Sequence, residues 1–215
     1  MAKRKATKPA SKSKAVKSAP AGDPVYLLKI TLLGTKPPVW RRFQVRDMTL
    51  AELHPVIQEV MGWEDAHLHA FDFGNRRFGI PDPDSPFESD EEDEATATFM
   101  EVLGRKKLFG YEYDFGDSWV HRIEVEKRLV AEPGVTYPHC VEGKRACPPE
   151  DCGGVWGYAD LLEAIDRPKT PRQRELLEWL GGPFDPEKFD VDAVNEQLAD
   201  LRGPRRRGGW GRFPA

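Results

Sequence analysis

The chain has 215 residues, enough for one ordinary domain or one domain with tails. Its net charge of −4 hides a segregation: residues 1–22 carry seven Lys/Arg and residues 202–215 carry five Arg, neither with an acid, while residues 23–201 hold 20 basic against 36 acidic side chains. An acidic body excludes attraction of the whole surface to nucleic acid, and no apolar run approaches the roughly 18 residues of a membrane span.

Residues 1–22 are Lys, Ala, Ser and Pro with almost nothing apolar, so they are expected to be a disordered basic tail. Their basic charge suits a nucleic-acid-binding arm or a solubilising extension. No apolar stretch follows to make a secretory signal. Val25–Leu33 is β-branched and apolar, the pattern of a strand buried on much of both faces. After a Gly/Pro loop, Val39–Val45 resumes as its neighbouring strand. Arg41 and Arg42 point to opposite faces of that strand; one of them can reach a buried carboxylate or a bound anion, and a solvated edge position is the expectation preferred. Thr49 and Glu52 form a capping box that opens an amphipathic helix carrying Leu50, Leu53, Ile57, Val60 and Met61 and ending at Gly62. His54, beside that stripe and before Pro55, is read as a helix-surface residue.

Trp63–Phe73 leads into an alternating stretch that would put His67, His69, Phe71 and Phe73 on one strand face. Two histidines so spaced can offer a metal two imidazoles. Gly74-Asn75 is a turn, with Arg76–Ile80 completing a hairpin. Pro81–Glu94 is proline-broken and acidic, a solvated mobile loop by composition. Ala95–Leu103 suits a strand or a short helix. Lys107–Asp114 and Ser118–Val130 form a second hairpin around Phe115-Gly116-Asp117, with His121 among the apolar positions. Tyr137–Gly154 is too rich in Pro and Gly for regular structure. Three helices follow: Trp156–Ile165, Pro171–Leu180 capped by Thr170, and a last one capped by Asp190. Arg205–Arg207 and the Gly/Trp segment make 202–215 a flexible Arg/Gly-rich tail.

Two constellations carry chemistry. Cys140, Cys147 and Cys152 lie within thirteen residues, and three thiolates with one imidazole make a tetrahedral zinc site. His139, His69 or His121 can supply the fourth ligand. The other reading makes the cysteines small apolar fillers. An odd, clustered set is no secreted disulfide framework, and a cytoplasmic location is expected. The second constellation is Asp114, Asp117 and His121, in which a carboxylate beside an imidazole makes a general base or a divalent-cation site. The structural alternative is a turn whose aspartates accept backbone N–H groups. No phosphate-cradling loop, GxSxG or HExxH is present.

The segments YLLKITLLGTKPPVWRRF, GWEDAHLHAFDF, YEYDFGDSWVHRIEVEK and CPPEDCGGVWGY together resemble the plasmid pRiA4b Orf3-like family, whose members are also described as insertion-element passenger proteins, over roughly residues 24–200. The resemblance implies a compact α+β domain tied to plasmids and mobile elements. It brings no reaction with it, and no serine-recombinase motif supports the resolvase-type label some members bear. The expected architecture is thus a single α+β domain, residues 23–201, in which an antiparallel sheet packs with several helices between the two tails. The function expected first is a mobile-element accessory or binding module, zinc-stabilised, whose tails contact nucleic acid. The second is a metal-dependent hydrolase or nuclease built on Asp114, Asp117, His121 and His69. Oligomeric state is left open.

Overall fold

Alternation along the first strands sets the architecture. In the computed structural model, which describes residues 24–81, 91–166 and 170–201, β1 (Pro24–Leu32) and β2 (Trp40–Arg46) pair antiparallel, with Leu28 opposite Phe43 and Ile30 opposite Arg41. Tyr26, Leu28, Ile30 and Leu32 point into the core, while Leu27, Lys29 and Thr31 are half-buried on the other face. Val25, on that other face, is fully buried, so the expected burial on both faces holds at the start of β1 and gives way from Leu27 onward to the alternation of an antiparallel sheet. The basic tails and residues 82–90 of the acidic stretch lie outside the described residues.

The remaining strands among the described residues are β3 (His69–Asp72), β4 (Arg77–Gly79), β5 (Glu91–Asp93), β6 (Leu108–Tyr113), β7 (Trp119–Val130) and β8 (His139–Lys144). They join one eight-stranded sheet in the order β5-β4-β3-β6-β7-β1-β2-β8, antiparallel except for the β4–β5 pair. The β6–β7 hairpin forms as its alternation predicts, with Tyr111 opposite His121 and Tyr113 opposite Trp119. The cysteine segment does contain a strand, β8, which pairs with β2 despite the surrounding Pro and Gly. Its outer edge is not left open. The Asn195 side chain accepts from Cys140 N at 2.8 Å and donates to Cys140 O at 2.9 Å, as a further strand would.

Among the described residues five helices complete the α+β fold: α1 (Leu50–Met61), α2 (Phe99–Leu103), α3 (Gly154–Asp166), α4 (Pro171–Leu180) and α5 (Val191–Asp200). The Thr49/Glu52 capping box opens α1 and Gly62, at φ 100°, closes it. Leu53, Ile57 and Val60 of α1 are fully buried with Phe43, Phe71 and Trp119, each such side chain contributing about 1.5–3 kcal/mol over an exposed one. Ala95–Leu103 resolves into the short α2, capped by Thr98. The solvated position expected for Arg41 is also corrected. Arg41 is 1 % exposed and donates to Val60 O, Met61 O, Lys144 O and Trp40 O, so it satisfies the carbonyl end of α1 while stacking on Phe189. Arg42, on the opposite face, pairs with Glu126 and Glu142. No helix among the described residues is long and apolar enough to cross a membrane.

Candidate metal centre

Three loops meet at the end of the sheet where β3 starts and β6 ends. The first leaves α1 at Gly62, and Trp63 anchors it by packing against Tyr113 and Trp119. Ala66 N then donates to the Tyr113 hydroxyl, and Glu64 N donates to Glu150 Oε1 at 2.8 Å. His67 follows, its ring edge-on to Tyr113. It precedes β3 rather than belonging to it, so the shared strand face expected for His67 and His69 does not form.

The second loop is the β6–β7 turn. Asp114 takes the left-handed conformation at φ 56°, where a short polar side chain that bonds its own turn is tolerated. Its Oδ1 accepts from Gly116 N and Asp117 N, as the turn reading expects, which leaves Oδ2 turned to His67 Nε2 at 3.7 Å. The third loop runs from β8 to α3. Within it Glu150 Oε1 accepts from the Tyr113 hydroxyl, while Glu150 Oε2 is buried without a hydrogen-bond partner, 3.7 Å from His67 Nε2. Asp151, also left-handed at φ 54°, brings Oδ1 to 3.3 Å from the same nitrogen.

One imidazole and two carboxylates, His67, Asp114 and Asp151, therefore share a point, and Glu150 approaches it from the His67 side alone. Ligand atoms of His67, Asp114 and Asp151 all lie within 4.8 Å of one another, and no other group of three His, Cys, Asp or Glu does so among the described residues. His67 Nε2 is buried and makes no hydrogen bond. Among the described residues no lysine or arginine forms an ion pair with the three carboxylates. Burial of Tyr113, with Glu150 beside it, raises its hydroxyl above the usual phenol range, so it stays a donor to Glu150. The Asp151 side chain is 70 % exposed, so this side of the cluster faces solvent.

The loops bearing Asp114 and Asp151 continue into the walls of a cleft of about 520 Å³, lined by Gly116, Asp117, Ser118, Gly153, Gly154, Val155 and Trp156. Asp117 Oδ2 accepts from Gly153 N and ties the two loops together. The approach demands glycine: a Cβ on Gly154, itself at φ 64°, would stand 2.6 Å from the Asp117 carbonyl oxygen.

The residues singled out from sequence are distributed over several places. Asp114 lies in the cluster and Asp117 in the cleft wall. His121 is 1 % exposed in the core: its Nε2 accepts from the Trp63 indole, and its Nδ1 faces the Tyr111 carbonyl. Burial brings His121 down to about 4, and the hydrogen bonds to backbone oppose this only in part. His69 is buried against Glu94 at 2.7 Å and stacked on His54. His54 is itself buried, which corrects the surface position expected for it. Cys140 sits on β8 beneath α5, with Cys147 and Cys152 in the loop that follows. Burial pushes all three thiols up, Cys140 to about 11 and Cys152 to about 12, so as placed they are neutral thiols. The three do not form a ligand group with one another. Glu150 and Asp151 read in sequence only as charged neighbours of the cysteines. The signal that marks them is the pairing of acids with glycine-bearing turns, Asp114–Asp117 and Glu150–Gly154, where aspartates favour left-handed backbone.

Comparison with known proteins gives consistent findings. The family model described as plasmid pRiA4b ORF-3-like protein matches residues 24–193. An uncharacterised protein, y4hQ, of Sinorhizobium fredii (strain NBRC 101917 / NGR234) is 37 % identical over 182 residues, covering 82 % of this chain and 92 % of its own. The crystal structure of a protein of unknown function, MM3350, from Methanosarcina mazei Go1 superposes with a TM-score of 0.72 at 38 % identity, covering 80 % of this chain and 98 % of that one.

Proposed function

The chain belongs to the plasmid pRiA4b ORF-3-like family, and from that premise we propose that it is a divalent-cation-binding protein whose cation is held by His67, Asp114 and Asp151, with Glu150 as a fourth donor. One observation carries this reading. A buried imidazole nitrogen without a hydrogen bond stands 3.3–3.7 Å from three carboxylate oxygens. Three carboxylates gathered around a neutral imidazole, with no lysine or arginine paired to them, repel one another, and a dication offsets that repulsion while giving the orphaned His67 nitrogen and Glu150 oxygen a partner. One nitrogen with several oxygens suits Mn²⁺ or Zn²⁺, an intermediate between sulfur-rich structural sites and all-oxygen calcium sites.

The exposed side of Asp151 and the adjoining cleft favour a second step in the reading, metal-assisted hydrolysis. A catalytic cation keeps a position open for water beside a substrate cleft, whereas a structural one is closed by four protein ligands. In this reading His67, Asp114 and Asp151 hold the ion, and Asp117 and Ser118 line the bound substrate.

The test is calorimetric titration with Mn²⁺ and with Zn²⁺. One ion per chain is expected, with affinity reduced about 100-fold or more in His67→Ala and in Asp114→Asn. Equal binding by wild type and both variants, or none by the wild type, would overturn the site. Cation-dependent hydrolysis of bis(4-nitrophenyl) phosphate, lost in the same variants, is the result expected for the catalytic step. Tight binding with no turnover would leave a cation-stabilised accessory module.

A further inference from the structure

Between α1 and the loop that carries His67 runs a closed ring of hydrogen bonds that none of the proposed ligands joins. Gln58 Nε2 donates to the Tyr111 hydroxyl at 2.9 Å, and that hydroxyl stands 2.9 Å from His54 Nδ1. His54 Nε2 lies 2.8 Å from Asp65 Oδ1, and Asp65 N donates to Gln58 Oε1 at 2.9 Å, which returns the ring to its start. Burial disfavours a charged His54, and for the neutral ring the partners fix the directions. A carboxylate only accepts, so His54 Nε2 carries the proton, and His54 Nδ1 then accepts from the Tyr111 hydroxyl. His54, Gln58 and Tyr111 are buried, and Asp65 is the ring's one largely exposed member, in the left-handed conformation at φ 55°.

Asp65 stands two residues before His67 on the loop that carries it. The strain of its backbone is held by both its side chain and its amide, each bonded to α1. We infer that the Gln58–Tyr111–His54–Asp65 ring is a positioning device: it sets the turn of the Trp63–Leu68 loop so that His67 Nε2 meets Asp114 and Asp151. The inference rests on the proposed cation site and names the residues that give it its geometry. Support for the backbone behind a metal-bearing histidine fixes how its ring meets the ion, as a site needs to hold its geometry.

Co²⁺ tests this, because its visible absorption bands report the coordination geometry of the bound ion. Asp65→Ala removes the link to His54, whereas Asp65→Asn keeps an oxygen that accepts from His54 Nε2. The expected result is an affinity for Co²⁺ about 10-fold weaker in Asp65→Ala with shifted bands, and both restored in Asp65→Asn. Tyr111→Phe, which breaks the ring at its far side, is expected to shift the bands in the same direction. Wild-type affinity and spectrum in Asp65→Ala would overturn the inference and leave the site standing. Equal loss in the Ala and Asn variants would also overturn it, since the charge and not the link would then matter. Failure of the wild type to take up Co²⁺, with Mn²⁺ and Zn²⁺ also refused, would remove the site itself.

Discussion

At the scale of single residues, some buried groups that titrate are matched to partners that fix their charge state. His121 is the clearest case. The Trp63 indole only donates and the Tyr111 carbonyl only accepts, so a neutral ring with its proton on Nδ1 suits both. Burial brings this imidazole down to about 4, against about 6.5 for the unfolded chain. The unfolded form therefore binds more protons as pH falls from about 6.5 to about 4, and the stability His121 supports is lost through that window, by roughly 3 kcal/mol in full. Urea unfolding at pH 7 and at pH 4.5 is expected to show a smaller pH dependence in His121→Phe than in wild type. An equal dependence in the two would show that the ring is not held neutral.

At the scale of elements, the start of α3 decides the geometry around the cleft. A Cβ on Gly157 would overlap the carbonyl oxygen of Cys152, which begins the turn into that helix. Gly157→Ala must therefore push the 145–153 loop away from the helix, and with it Glu150 and Asp151. A loss of about 2 kcal/mol or more is expected by thermal unfolding, accompanied by weaker cation binding. Thr49→Ala serves as a control. It removes a cap far from the cluster, so a loss of about 1 kcal/mol with cation affinity unchanged is expected. Cation binding that follows stability equally in both variants would show no special role for the α3 junction.

At the scale of the whole molecule, the charge segregation leads to the prediction that any contact with nucleic acid falls to the two basic segments. Retention on immobilised DNA is expected to fall with salt and to vanish when residues 1–22 and 202–215 are removed. Salt-independent retention by residues 23–201 would overturn that assignment. The sheet, by contrast, unites elements far apart in the chain. The cluster draws on residues 67, 114 and 150–151, brought together because β3 pairs with β6 and the 145–153 loop folds back across their ends.

Local physics made much of this legible from sequence alone. The Thr49/Glu52 and Thr170 caps, the α1 stripe, the β1–β2 pair and the β6–β7 hairpin all follow from spacing within a few residues, where side-chain periodicity and capping act. The α+β class and the family followed from those elements and from four ordered motifs. Other features depend on partners distant in sequence, and only the tertiary structure decided them. Pattern alone could not show that Arg41 turns inward to the carbonyls of α1, that His54 is buried in a closed ring, or that His67 parts from His69 to meet Asp114 and Asp151. The reason is physical: burying a polar side chain costs free energy that distant partners offset, and sequence spacing does not record which groups those are.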